Sequence, residues 1–252
     1  MTDKKILTRK EFEKVREESA IRMAQDDKLG KDALDLLVRA DKHSWIHQTT
    51  WFGEPVLNLP QDMFAIQEII FRTQPDYLIE LGVAWGGSLL FYSTIMEAIG
   101  KGKVIGVDIY IPDDLRERLF SHDRISQRIT LINGSSIDEK IYDTVKSHIG
   151  DSKAVMLILD SFHSHEHVLK ELHMYSKLIG KNFYIVCSDT IIEKIPEQTH
   201  RVRPWGTGNN PKTALDEFMR INSRFKTDMK INNKLLLSCN PEGYIVCTKD
   251  TD

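Results

Sequence analysis

"YLIELGVAWGGSLLFY", residues 77–92, decides the fold. Leu78, Ile79 and Leu81 surround an acid, Glu80. Three glycines follow, Gly82, Gly86 and Gly87, and then an apolar run at helical spacing. The pattern reads as a buried strand, a tight turn and a helix. Glycine reaches the positive φ values that such a turn needs and lets backbone approach a ligand closely. The helix after it offers unpaired N–H groups.

Working outward, short apolar stretches at 77–81, 103–107, 129–132, 154–159 and 183–187 read as strands. Helical patterns at 87–99, 113–120, 137–149 and 165–179 alternate with them. This alternation predicts an α/β fold: a doubly wound, mostly parallel sheet with helices on both faces. Upstream, residues 8–43 predict two helices split around Lys28–Lys31. Residues 44–60 read as an aromatic loop broken by Gly53, Pro55 and Pro60, and Asp62 is placed to cap a helix running to Thr73. Downstream, a helix is expected near 211–223. KLLLSC (234–239) and GYIVCTK (243–249) are expected to close the sheet as a C-terminal antiparallel hairpin. The boundaries are a helical N-terminal cap over 1–60, expected as a substrate-side segment, and one α/β domain over 61–252.

The 252-residue chain is 41% hydrophobic, with a formal charge of −3 and a sequence pI near 6.3. It can bury a sizeable core, and its charge balance points to no nucleic-acid or polybasic membrane partner. No run approaches the ~18 apolar residues of a membrane span. MTDKKILTRKEFEKV, at the N-terminus, carries no apolar signal region. Cys187, Cys239 and Cys247 have no paired spacing and suit reduced thiols. The expectation is a cytoplasmic protein with a small-molecule substrate, self-association left open.

In open α/β sheets, ligands bind beyond the carboxyl ends of the strands, where the strand order reverses. Gly82, Gly86 and Gly87 lie at that edge. Asp108 ends the second strand, in VIGVDIY, where an acceptor-only carboxylate suits the two hydroxyls of a ribose. Turn and acid together point to an adenosine-containing cofactor. Gly82-x-Ala84-x-x-Gly87 is a degenerate dinucleotide fingerprint, so NAD and an oxidoreductase stand as one alternative. Glu80 and the closing hairpin fit S-adenosylmethionine better.

The fourth strand ends in LILDSFHSHEHVLKEL, with Asp160 at its tip and His163 three residues on. The fifth ends in YIVCSDT, with Asp189 at its tip. Neighbouring strands lie about 5 Å apart, so both carboxylates can face one cleft. Two acids suit a hard divalent cation such as Mg²⁺, and a neutral imidazole beside them can accept a proton. HSHEH is also a compressed version of a metallohydrolase HxHxDH motif, one residue short. Read structurally, His165 and His167 are first-turn helix residues with partners of their own, and Glu166 favours the helix N-terminus by its charge.

ELGVAWGGSLLFY, GVDIY, NGSS, LDSFHSHEHVLKEL, SDT and GNNPKTALDEFM fall in order between roughly Trp51 and Lys249. Together they resemble the cephalosporin hydroxylase-like family, class I S-adenosylmethionine-dependent methyltransferases that include rhamnosyl O-methyltransferases and a cephamycin-biosynthesis protein. The resemblance implies a Rossmann-like methyltransferase domain over 61–252. It implies methylation of a hydroxyl on a sugar, sugar nucleotide or glycosylated small molecule, in glycan or natural-product biosynthesis. Glu80, Gly82 and Gly86 would line the cofactor's methionine end, and Ser88 and Asp160 are counted with them. Asp108 would hold the ribose, and Ser135 and Ser136 would lie near the adenine. Asp160 and Asp189 correspond to metal ligands, and His163 matches a general base of related macrolide-sugar O-methyltransferases. Where the family reads Glu-Asp-Thr, this chain has Ser188-Asp189-Thr190. That substitution leaves Ser188 a weak ligand and keeps a non-catalytic binding protein as a further alternative. Trp45, Trp51, Phe52 and Trp205 are expected either to stack on a sugar or to anchor the cap.

Overall fold

The computed structural model describes residues 6–250. The first five residues of the N-terminal cap and the last two of the α/β domain lie outside that range. Five strands form the parallel part of the sheet: β3 (Tyr77–Leu81), β4 (Lys103–Asp108), β5 (Ile129–Asn133), β6 (Val155–Leu159) and β7 (Tyr184–Cys187). Two more close one edge, β8 (Phe225–Thr227) and β9 (Tyr244–Cys247), with β9 antiparallel to both β7 and β8. The order across the sheet is β5-β4-β3-β6-β7-β9-β8. The order in which strands are added therefore reverses between β3 and β6, which pair in parallel.

The period-2 alternation of the strands sorts their side chains into two layers. Leu78, Val104, Met156 and Ile158 pack on one face with Ile66 and Ile70 of α3 (Pro60–Thr73) and Leu89 of α4 (Gly87–Ile99). Ile79, Ile105, Leu157 and Ile185 pack on the other with Val145 of α7 (Glu139–Ile149), Leu172 of α8 (His165–Tyr175) and Phe218 of α9 (Pro211–Ile221). Two short helices, α5 (Asp113–Phe120) and α6 (Asp123–Ser126), connect β4 to β5.

Four local readings differ from expectation, the last of them at Asp62. The N-terminal helices α1 (Arg9–Ala24) and α2 (Asp27–Asp41) part at Gln25–Asp26 rather than around Lys28–Lys31. Asp26 starts α2 there by accepting from the Leu29 N–H at 2.9 Å. Residues 44–60 hold a small antiparallel pair, β1 (Thr49–Trp51) and β2 (Glu54–Val56), turned by Phe52 and Gly53, both at positive φ. The closing antiparallel pair draws its first strand from 225–227 instead of 234–239. Its strands are separated by α10 (Met229–Asn233) and a turn-rich segment.

Residues 234–239 are diverted by Asp62. This aspartate does not cap α3; it is buried within it, and burial pushes its pKa up to about 6. Its Oδ1 accepts from Ser238 Oγ and Tyr244 OH at 2.6 and 2.7 Å, and its Oδ2 from the Cys239 N–H at 2.8 Å. A segment that gives its polar atoms to a buried carboxylate has left the strand ladder.

Candidate active site at the strand switch

The glycine turn sits at the reversal between β3 and β6. Gly82 has φ +98°, and a Cβ there would lie 2.1 Å from the Asp160 carbonyl oxygen. The missing side chain is what brings the ends of β3 and β6 together. Gly86, at φ +77°, is the N-cap of α4. A Cβ on Gly87 would meet the Pro55 carbonyl oxygen at 2.3 Å, so this glycine seats the β1–β2 pair over the turn.

Asp108 braces the turn from the end of β4. Its Oδ2 accepts from the Val83 and Ala84 N–H groups at 2.7 and 3.2 Å, and its Oδ1 from the Tyr110 N–H at 3.1 Å. Glu80 is 1% exposed and lies behind Ser88, whose Oγ–H donates to Glu80 Oε2 at 2.8 Å. Burial pushes Glu80 up to about 8. Ser88 reaches the cavity wall; Glu80 can act on the cavity only through it.

Two cavities meet at this turn. One, of about 460 Å³, is lined by Asp108, Ile109, Gly134, Ser135, Ser136 and Phe162. The other, of about 300 Å³, is lined by Ser88, His163, Asp189, Arg201, Arg203 and Trp205. Gly82, Ala84, Asp160 and Ser161 belong to both. An elongated ligand can thus lie in the first cavity and present its end to the second.

In the second cavity, Asp160, His163 and Asp189 offer three donor atoms within 4.8 Å of one another. His163 Nε2 is 3.3 Å from Asp189 Oδ2 and 3.9 Å from Asp160 Oδ1. Burial lowers the His163 pKa, although the Asp189 charge opposes it, so the imidazole is neutral near pH 7 and free to accept a proton. Burial, and then the Asp189 charge, hold the Asp160 carboxyl well above the usual carboxylate range. Asp189 occupies a left-handed conformation, φ 56°, fixed by its N–H donating to Asn240 Oδ1 at 3.0 Å. A divalent cation would relieve the charge that Asp189 sets beside the buried Asp160 carboxyl, so the donor set of two carboxylates and an imidazole fits a hard metal ion. Ser188 is buried beside Asp160 and lowers the Asp160 pKa slightly.

The other histidines are engaged elsewhere. His165 Nδ1 is 2.9 Å from Thr213 Oγ1, and its Nε2 is 3.2 Å from Glu217. His167 Nε2 sits among Ser136 Oγ, Ser161 Oγ and Glu171 Oε1 at 3.1–3.2 Å. The two rings serve different partners, and among the described residues only Asp160, His163 and Asp189 group as metal donors. Ser136 is thereby tied to a buried network with Glu171, while Ser135 lines the first cavity directly. Glu166 stands in the first turn of α8.

Of the four aromatics, Trp205 alone lines these cavities. Its ring meets His163 edge-on at 5.2 Å and Phe162 at 4.9 Å. Trp51 is an anchor: it packs on Phe91 at 5.0 Å and donates to Thr94 Oγ1 at 3.1 Å. Phe52 stacks on His122 at 5.7 Å. Trp45 is surface-exposed and lines neither cavity.

Residues 1–60 are expected on the substrate side, but the residues of the cap that form the wall are not marked in the sequence. Leu37, Asp41, Ile46 and His47 line the second cavity. Buried Asp41 accepts from Gln198, His200 and Arg201 at 2.7, 2.8 and 2.5 Å, tying α2 to the loop that carries Arg203 and Trp205. Asp41 ends a charged helix, and nothing local distinguishes it from a solvated acid.

A model of the Rhamnosyl O-methyltransferase/CmcI family matches residues 43–248. The Rhamnosyl O-methyltransferase of Mycobacterium leprae (strain TN) is 30% identical over 220 residues, covering 83% of this chain and 90% of that protein. Its counterpart in Mycobacterium tuberculosis (strain ATCC 25618 / H37Rv) is 28% identical over 218 residues, covering 83% and 84%. Among solved structures, a CmcI structure with Mg and SAM is similar with a TM-score of 0.56 at 18% identity, covering 80% of this chain and 77% of that one. A CmcI apo-structure gives 0.55 at 20% identity over the same shares. These structural likenesses establish the fold.

Proposed function

The chain belongs to the Rhamnosyl O-methyltransferase/CmcI family and is an enzyme of the O-methyltransferase class; on that premise we propose that it methylates a hydroxyl of a sugar or glycosylated small molecule with S-adenosylmethionine as the donor. The observation that carries this reading is the junction of the two cavities at Gly82 and Asp160, between the Asp108-braced turn and the Asp160–His163–Asp189 cluster.

In this reading the first cavity takes the adenosine, with Asp108 at the ribose and Ser135 at the base. Gly82 and Ser88 face the methionine end, Glu80 tunes Ser88 from behind, and Gly86, which lines neither cavity and packs on Leu115 and Leu119, shapes the turn instead. The donor supplies an electrophilic methyl group at the mouth of the second cavity. His163 holds the acceptor hydroxyl by its proton and takes that proton as the oxygen attacks; its neutral form at pH 7 suits the task. Orientation supplies much of the remaining rate, because the attacking oxygen must lie in line with the departing sulfur. Asp160 and Asp189, with Ser188 as a weaker neighbour, would hold a divalent cation, which supplies Lewis-acid polarisation of the hydroxyl when bound.

Residues 1–60 serve as a substrate-side cap, supported by the contribution of Leu37, Asp41 and His47 to the cavity wall. A cytoplasmic location fits the three free, buried cysteines, and no helix among the described residues is long and apolar enough to cross a membrane. The test is incubation with S-adenosylmethionine and a panel of free, nucleotide-linked and lipid-linked sugars, read by mass spectrometry. A sugar gaining one methyl group supports the reading. Retention of an unmodified panel alongside hydride transfer to NAD would overturn it.

A further inference from the structure

Arg203 is the cavity-wall cation that the methyl-transfer chemistry leaves unused. Its guanidinium carbon lies 5.4 Å over the Trp205 ring, and that ring meets His163 edge-on at 5.2 Å. The two contacts set the guanidinium one ring beyond the proposed base, and its charge helps to lower the His163 pKa. Among the described residues no carboxylate pairs with Arg203. Three acids share the wall. Asp41 is already held by Arg201, His200 and Gln198, and Asp160 and Asp189 face His163. A guanidinium held over an indole with no carboxylate partner keeps N–H donors free for planar, two-pronged recognition of an oxyanion.

We infer that the acceptor carries an anionic group, a phosphate or a carboxylate, held by Arg203 while the sugar ring packs on Trp205 and its hydroxyl reaches His163. This rests on the methyltransferase reading and narrows its acceptor from sugars in general to anionic ones. Arg203 is then a specificity residue. Its outer position means that its contact is worth the low end of the range for hydrogen bonds to a charged group, roughly tenfold in affinity, and is weakened by salt.

The test titrates the enzyme preloaded with S-adenosylhomocysteine with three probes: UDP-glucose, a methyl glucuronide and neutral methyl glucoside. Loading with S-adenosylhomocysteine tests the methyltransferase reading separately: without it that reading fails, and with it only the charge preference is at stake. The expected result is tighter binding of an anionic probe than of the neutral one. Arg203→Gln should weaken that probe about tenfold, Arg203→Lys should recover part of the loss, and the affinities for methyl glucoside and S-adenosylhomocysteine should stay unchanged. UDP-glucose alone responding assigns a phosphate; the glucuronide alone responding assigns a carboxylate. Equal binding of charged and neutral probes, no binding of either anionic probe to the loaded enzyme, or indifference to Arg203→Gln overturns the inference.

Discussion

His163 Nε2 lies 3.3 Å from Asp189 Oδ2 at the mouth of the strand switch, and burial keeps the imidazole neutral near pH 7. If that imidazole takes the acceptor proton, His163→Ala should cut turnover by about 10²–10⁴-fold. Affinity for S-adenosylhomocysteine should hold, since the adenosine cavity lies on the far side of Gly82. Wild-type turnover in the variant would remove His163 from the chemistry.

The two acids make a separate prediction. EDTA should lower activity and Mg²⁺ restore it, because Asp160 and Asp189 form a donor set that repels itself without a cation. With Ser188 in place of a third carboxylate, affinity should be weak, and Ser188→Glu should lower the Mg²⁺ concentration for half-maximal activity. Activity unchanged by EDTA and by added Mg²⁺ would leave the acids to orient the acceptor hydroxyl.

Glu80 predicts the pH dependence of stability. Its folded pKa is pushed up to about 8 from an ordinary value of 4.5. The folded protein therefore keeps this proton where the unfolded chain has lost it. The resulting stability is complete below about pH 4.5 and is lost as pH rises through about 8, at up to about 1.4 kcal/mol per pH unit. Glu80→Gln keeps an acceptor for Ser88 and should flatten this loss in urea unfolding at several pH values. An equally steep decline in the variant would place the titration elsewhere.

Much of this architecture is legible in the sequence because its signals are local. Strand burial shows as alternation, and Gly82, Asp108, Asp160 and Asp189 mark strand ends by residue type. What is not legible depends on distant partners. KLLLSC has a strand's composition, yet Ser238 and the Cys239 backbone are claimed by Asp62, about 176 residues away in the chain. Asp41 and Arg201, 160 residues apart, join the cap to the acceptor loop without a periodic signature. Trp51 and Trp205 look alike as loop aromatics, and only packing separates the anchor from the cavity wall.

Gly82 should tolerate no side chain. Gly82→Ala combines φ +98° with a Cβ 2.1 Å from the Asp160 carbonyl oxygen, so the ends of β3 and β6 must part. A loss of at least about 2 kcal/mol in chemical denaturation is expected, the upper end of left-handed strain plus the clash. Gly100→Ala is the control: it has φ +79° and open space around it, and should show the strain alone. Equal costs at the two positions would mean that the contact with Asp160 is not what Gly82 protects.

The central claim, that the Asp108-braced turn holds the adenosine of S-adenosylmethionine, is tested most directly by calorimetric titration of S-adenosylhomocysteine onto wild-type protein and Asp108→Ala, with NAD titrated alongside. The account predicts saturable binding of S-adenosylhomocysteine, none of NAD, and a loss of about 1.5–3 kcal/mol in the variant, the range for hydrogen bonds to a charged group. Binding of NAD without S-adenosylhomocysteine, or undiminished affinity in a folded Asp108→Ala protein, would contradict it.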